Sequence, residues 1–326
     1  MSLKTILIII ISLLLIILIW LLYNIWQGMN KKDNNIVSEN NIIQKTPLTS
    51  SVITATQTQK LQQLTTKPII GLTISNQKLK YFDKITGHIF EMAPDGTREL
   101  EINSSDISGL LDVIWDQTGS KAIVRTQDKQ YFYDFSTNQV ILTDFKNPIW
   151  FQDKIIDQCS AGVCQSDPDG FNEKIIFQTA LKDFHIASDN RAIYIYQKPS
   201  AKAPSIVYQI NPLKKIIGPY YGLIFKSLNN YSIGLEPYGT IADKCVSQNN
   251  IIYCAVPQDL DQNTLMPDDY YKNLITTEDS FWQFDGQNKK EIAKTSCDAK
   301  NLLIFENKLF FTDKTSGYLY MLKLAE

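Results

Sequence analysis

The sequence predicts an all-β fold, built from a short β unit repeated along the chain and carried behind a single membrane-spanning helix. Three observations lead there. From Pro68 onward, short runs of β-branched and aromatic residues are broken by Asn, Asp, Gly and Lys about every five to ten residues, with no sustained helical period. A turn-plus-strand element recurs throughout that region. Pro-Asp-Gly also occurs twice, at Pro94-Asp95-Gly96 and Pro168-Asp169-Gly170, 74 residues apart and each followed three places on by Glu99 or Glu173.

Taken in order, residues 1–4 are a short tail and residues 5–26 (TILIIIISLLLIILIWLLYNIW) carry no charge. About 20 residues at 1.5 Å each cross a hydrocarbon core of about 30 Å, so this run is long enough to span. Trp20, Tyr23 and Trp26 fall near one end, where amphipathic rings sit at the headgroup level. The run is longer than a secretory signal's apolar region, and NIWQGMN offers no small-x-small cleavage site, so an uncleaved anchor is expected. Residues 27–67 are rich in Asn, Gln, Thr, Ser and Lys and read as a polar linker. Within it, residues 50–57, with the β-branched stretch Val52 to Thr56, are suited to pair with a free sheet edge.

Residues 68–326 carry the repeat. The turn-strand element begins at Asn76, Gly119, Gln152, Asp189, Asn229, Gln248 and Glu306, seven copies in all. Lys78 and Lys308 stand 230 residues apart, about 38 per repeat, within the range of propeller blades. A following strand element (HIFEMA, QYFYDF, VCQSD, SIVYQI, SFWQFD, YLYMLKL) occurs six times, and the missing copy belongs after Asn229. The expectation is a β-propeller of seven blades with a reduced fifth, six blades being the alternative. Radial repetition protects strand edges that an open array would expose. The two Pro-Asp-Gly turns then follow third strands two blades apart, with Pro fixing φ and Gly accepting a positive one. The last blade lacks an outer strand, which residues 50–57 are expected to supply.

At residues 113–124 (VIWDQTGSKAIV), followed by QYFYDFSTNQV, the chain resembles the tryptophan-aspartate hairpin of TolB-like and WD-repeat-like propellers; Trp115 and Asp116 carry the likeness and Ser188-Asp189-Asn190 matches more loosely. Residues 81–97 and 244–287 resemble uncharacterised single-pass, membrane-anchored propeller proteins of reduced-genome bacteria. That resemblance implies a fold and a location, and no activity.

Chemistry-bearing residues are sparse. The two histidines, His88 and His185, stand in separate strand-like contexts, too few for a triad or a multi-histidine metal centre. No phosphate-binding, dinucleotide, zinc-protease or nucleophile-elbow motif occurs, so no catalytic residue, metal or cofactor is assigned. Asp259, Asp261 and Asn263 alternate as a calcium loop begins, but Thr264 replaces the turn glycine and Tyr270 the bidentate glutamate. The same insertion contains Asp268, Asp269, Tyr270 and Tyr271, the candidate binding surface, because rings beside carboxylates suit sugars or a protein partner. Trp150-Phe151 and Tyr220-Tyr221 are weaker aromatic candidates. A formal charge of -2 with dispersed basic residues leaves no footprint for nucleic acid.

In KCVSQNNIIYC a two-residue turn at Asn249-Asn250 pairs Gln248 with Ile251 and, counting outward, Cys245 with Cys254, at a non-hydrogen-bonded position where Cα atoms come within reach of a disulfide. Cys159 and Cys164 flank a tight connection and pair likewise, leaving Cys297. Lys4 on one side of the anchor and Lys31, Lys32 and Asp33 on the other nearly balance, so the cysteines decide orientation: the C-terminal domain is expected outside the cytoplasm. The functional expectation is a binding or scaffold module for a protein or cell-envelope polymer, with a propeller hydrolase of envelope glycans or peptides using Asp and Glu as the alternative.

Overall fold

The computed structural model describes residues 61–220 and 239–324, apart from 105, 190, 262, 286 and 287. The expected anchor and most of the linker, including Val52 to Thr56, lie outside the described residues. So does the repeat copy at Asn229. Among the described residues no helix is long and apolar enough to cross a membrane.

The described strands form six four-stranded antiparallel sheets. Blade 1 contains β2 (Ile69–Ser75), β3 (Lys78–Asp83), β4 (Ile89–Met92) and β5 (Leu100–Asn103). Blade 2 contains β6 (Leu110–Trp115), β7 (Lys121–Thr126), β8 (Gln130–Asp134) and β9 (Gln139–Thr143). Blade 3 contains β10 (Ile149–Phe151), β11 (Lys154–Cys159), β12 (Gly162–Ser166) and β13 (Lys174–Gln178). Blade 4 contains β14 (Phe184–Ser188), β15 (Ile193–Gln197), β16 (Ser205–Ile210) and β17 (Lys214–Tyr220). Blade 5 contains β18 (Cys245–Gln248), β19 (Ile251–Pro257), β20 (Asp279–Asp285) and β21 (Asn288–Lys294). Blade 6 contains β22 (Ala299–Phe305), β23 (Lys308–Asp313) and β24 (Leu319–Lys323), completed by β1 (Leu61–Gln63).

The protein is a six-bladed β-propeller, the alternative rather than the leading expectation. Six of the seven turn elements are the hairpins joining first to second strands, and all six following elements are third strands. Counting Asn229 as a blade compressed the apparent repeat: the six observed blades average about 46 residues, at the long end of propeller spacing. The length comes from the connection between blades 4 and 5 and from an insertion within blade 5.

Closure follows the expected logic with a different segment. Leu61, Gln62 and Gln63 pair with Leu322, Met321 and Tyr320, so the outer strand of the last blade comes from the N-terminal side of the first. Leu64 N–H then donates to Leu319 O at 2.8 Å, and Leu319 N–H donates to the buried Thr65 hydroxyl at 3.0 Å. The β-branched stretch read as the closing strand is less polar than LQQ, yet an outer strand with one face in water needs little apolar surface, and backbone pairing is what the edge requires.

Adjacent blades are pegged together through their inner strands. Trp115 on β6 donates its indole N–H to Gly71 O on β2; Trp150 on β10 donates to Ile114 O on β6; the Ser188 hydroxyl on β14 donates to Trp150 O. Each peg reaches the backbone of the blade before it. Lys80, 5% exposed, adds a second tie: its Nζ donates to Gly119 O at 2.8 Å, 4.8 Å from the Trp115 ring centroid and 4.9 Å from that of Phe135. The Pro-Asp-Gly turns lie between third and fourth strands of blades 1 and 3, each closed by the glycine N–H donating to Ala93 O or Asp167 O.

Gly71 shows how close the inner strands approach. At φ +66° it sits in the left-handed region, and a Cβ there would stand 2.5 Å from Val113 Cβ. Replacing Gly71 with Ala is expected to destabilise the propeller by about 2–4 kcal/mol, since conformational strain adds to overpacking between blades 1 and 2. Urea unfolding followed by tryptophan fluorescence checks it, and a loss under about 0.5 kcal/mol would contradict the close packing.

Candidate functional site

Between blades 5 and 6, where inner strands begin and second strands hand over to third strands, the sequence places a buried cation. A short 3₁₀ turn, Ala242–Lys244, leads into β18 and points Lys244 into the interior. The Lys244 side chain is 0% exposed, as is that of Asp279 at the start of β20, and Asp298 just before β22 is 1% exposed. Lys244 Nζ donates to Asp279 Oδ2 at 2.6 Å, Asp298 Oδ1 at 2.7 Å and Thr277 Oγ1 at 2.7 Å, using all three ammonium hydrogens.

The carboxylates are held on their other sides too. Asp279 Oδ2 accepts from Ala299 N–H at 2.7 Å, and Oδ1 accepts from Thr277 Oγ1 at 2.9 Å. Asp298 Oδ1 accepts from the Tyr270 hydroxyl at 2.8 Å, and Oδ2 from Thr277 N–H at 3.2 Å. No buried side-chain nitrogen or oxygen among the described residues lacks a partner. Burial pushes the Asp279 carboxyl above its ordinary value against the pull of Lys244, and burial, then the hydrogen bond to Asp298, pushes the Tyr270 phenol upward.

Tyr270 reaches this network because the loop between β19 and β20 is expanded into the insertion read from sequence as a binding loop. A single helical turn, α1 (Asp268–Tyr271), directs Tyr270 inward, where it is 7% exposed. This corrects part of the expectation: Tyr270 is a buried anchor rather than a ring offered to a partner. Asp268 Oδ2 accepts from Ala201 N–H at 3.2 Å and Asp269 Oδ2 from Leu265 N–H at 2.8 Å, so both carboxylates fasten the loop. Lys198 Nζ lies 3.3 Å from the Tyr271 ring centroid, and Lys314 Nζ lies 3.8 Å from that of Tyr270. The surface above is shaped by what these four residues hold in place. Leu260, Leu265 and Leu274 stand exposed along the insertion, Leu274 at 68%.

Beside the buried network opens a cavity of about 400 Å³, lined by Asp259, Glu278 and the hydroxyl-bearing Thr276, Thr277, Ser296 and Thr315, with Asp298 at its base. The remaining candidates are dispersed. His88 bonds Asp106 at 2.9 Å and pairs with Glu101 on blade 1, while His185 stacks on Tyr196 within blade 4. Asp261 Oδ1 caps its own loop through Asn263 N–H at 2.7 Å. Among the described residues no three His, Cys, Asp or Glu side chains are gathered to hold a metal ion. Trp150 is core, and Tyr221 lies outside the described residues.

Cys245 and Cys254 are bonded across the β18–β19 hairpin, with Cα atoms 4.1 Å apart and the register Val246 to Tyr253, Ser247 to Ile252, Gln248 to Ile251. Cys159 and Cys164 are bonded across the β11–β12 hairpin, and Cys297 is a buried free thiol.

No family model matches the sequence, and no curated protein matches it. Among solved structures, the chain is similar to a gluconolactonase from Xanthomonas campestris (14% identity, TM-score 0.49, covering 82% of this chain and 90% of that one). It is also similar to YCF48 from Cyanidioschyzon merolae (10% identity, TM-score 0.48, covering 81% and 98%). A third is BamB from Moraxella catarrhalis (12% identity, TM-score 0.42, covering 81% and 100%). The propeller assignment stands on the strand pairing described above.

Sequence reading missed Lys244, Asp279 and Asp298. A signal existed in the repeat itself. Lys314 N–H donates to Asp298 O as Lys84 N–H donates to Pro68 O, so blade 6 carries an aspartate where blade 1 carries a proline. Lys244→Met is expected to cost about 3–5 kcal/mol, because it strands two buried carboxylates, and Lys244→Met with Asp279→Asn should cost less than the sum of the single changes. Chemical denaturation of the three variants measures both.

Asp313 supplies a pH dependence. Burial acts to raise its carboxyl, but hydrogen bonds from the Ser316 hydroxyl and N–H and from Asp298 N–H outweigh it and hold the group below its ordinary value. A depressed folded-state value contributes stability that is present above the unfolded value and lost as pH falls through the folded one. Melting temperature should therefore drop as pH falls below about 4, and more shallowly in Asp313→Asn than in the parent.

Proposed function

We propose that this chain is a membrane-anchored propeller displayed outside the cytoplasm, acting as a binding or scaffold module for a protein or cell-envelope polymer. The observation that carries the reading is the hydroxyl- and carboxylate-lined cavity between blades 5 and 6, flanked by the exposed leucines of the insertion. Acceptor-rich walls suit the hydroxyl, amide and ammonium donors of glycans and peptides, and the leucines add apolar contact beside them. The floor is pre-organised: Tyr270, Lys244, Asp279 and Asp298 fix the loop without ligand, so little ordering cost falls on binding.

The location rests on the uncharged run at residues 5–26 and on the two cystines, which persist in oxidising compartments. Alkylation of native membranes without reductant tests it. Cys159, Cys164, Cys245 and Cys254 should resist labelling until reductant is added, whereas labelling of all four at the outset would place the domain in a reducing compartment.

Site-specific photocrosslinking tests the binding face. A photoreactive residue at Leu274 or Ser296 in intact envelopes is expected to give a discrete adduct that one at Phe171, exposed on a blade 3 turn, does not. Equal yields from all three positions would remove the blade 5–6 end from consideration.

A further inference from the structure

The buried network holds an amine against two carboxyl groups with almost no side-chain exposure, and that arrangement has a chemical consequence independent of any ligand. We propose that Lys244 and Asp298 condense to an intramolecular isopeptide bond, which joins blade 5 to blade 6 covalently, with Asp279 as the proton shuttle.

Geometry assigns the roles. Lys244 Nζ is in contact with Asp298 Oδ1 at 2.7 Å and Asp279 Oδ2 at 2.6 Å, and none of the three side chains is more than 1% exposed. Permanent contact between amine and carboxyl replaces a bimolecular encounter with a unimolecular step. Asp298 is the electrophile because both its oxygens face donors suited to a tetrahedral intermediate: the Tyr270 hydroxyl at Oδ1, 2.8 Å, and Thr277 N–H at Oδ2, 3.2 Å. Asp279 is the shuttle, touching Nζ directly while Ala299 N–H and the Thr277 hydroxyl fix its orientation. Burial favours its protonated form, as a group that must hand on a proton requires.

The step balances within the protein. Moving one proton across the Lys244–Asp298 contact converts the ion pair into a neutral amine and a neutral acid, the two forms that react. Nζ then attacks Asp298 Cγ and a C–N bond forms; Asp279, protonated at the outset, delivers its proton to the departing oxygen as the Cγ–O bond breaks and takes one from nitrogen, and one water leaves. Asp279 ends as it began. No oxidant, cofactor or nucleotide is consumed, and the cavity above Asp298 gives the water a way out.

Mass spectrometry of the full chain, extracted from membranes and fully reduced, decides the matter. The mass is expected to fall short of the sequence by one water, about 18 Da, after allowance for N-terminal processing. Proteolysis should yield a branched peptide joining Lys244 to Asp298, and Asp279→Asn should carry its full mass. The wild-type chain alone suffices, so poor folding of the variant cannot shelter the idea. Full sequence mass in the wild type would overturn it. So would a water loss mapped elsewhere, for instance to a succinimide at Asp95-Gly96, or a branch at Asp279.

Discussion

The constraint on which this molecule depends is that no strand edge may be left open where the ring meets itself. Six sheets arranged radially each hide their inner edges against neighbours, but a ring made from one continuous chain has a seam. Here it falls inside blade 6, where β1 lies on β24 and the chain's first described residues complete its last sheet. Everything else assumes that seam. The indole and hydroxyl pegs that link blades 1 to 4 fix neighbours only if the circle is closed, because an open array could relax its curvature and let each contact slide.

Against this regular background, the junction of blades 5 and 6 departs from the repeat in several ways at once. It has the long loop between second and third strands, a fully buried lysine with two buried carboxylates, and a cystine across the hairpin that begins with that lysine's neighbour. Burying three charges is costly when the alternative is an apolar junction of similar volume. Proteins break their own local rules chiefly where something other than stability is served. That the loop, the network and the polar cavity meet at one junction ties the specialisation to a single end of the ring.

Much of the architecture was legible because turns and strands are local. Asn249-Asn250 sets the register of its hairpin through two residues at positive φ, and the pairing of Cys245 with Cys254 follows by counting. Blade number was harder, since a turn followed by apolar residues at Asn229 has the same local pattern as a blade's first hairpin. The closing strand was missed for a related reason: LQQ has little β propensity, and its pairing is dictated by the vacant edge of β24 rather than by its own side chains. The buried network was illegible in principle from local pattern, because Lys244 and Asp298 stand 54 residues apart and meet only once blades 5 and 6 are adjacent. Tyr270 was singled out as a surface ring because an aromatic in a polar loop reads the same whether it points outward or plugs a core.

The seam has a mechanical meaning as well. β1 is the shortest kind of strand, three residues held to β24 and backed by Thr65 and Leu64. Tension applied at β1 would arrive at the seam, where the ring can be undone. Load that peeled β1 away would leave blade 6 as three strands, and its grip on blade 5 would decide whether the ring sprang open or merely lost an edge. Strengthening the junction of blades 5 and 6 would then toughen the whole molecule against being pulled.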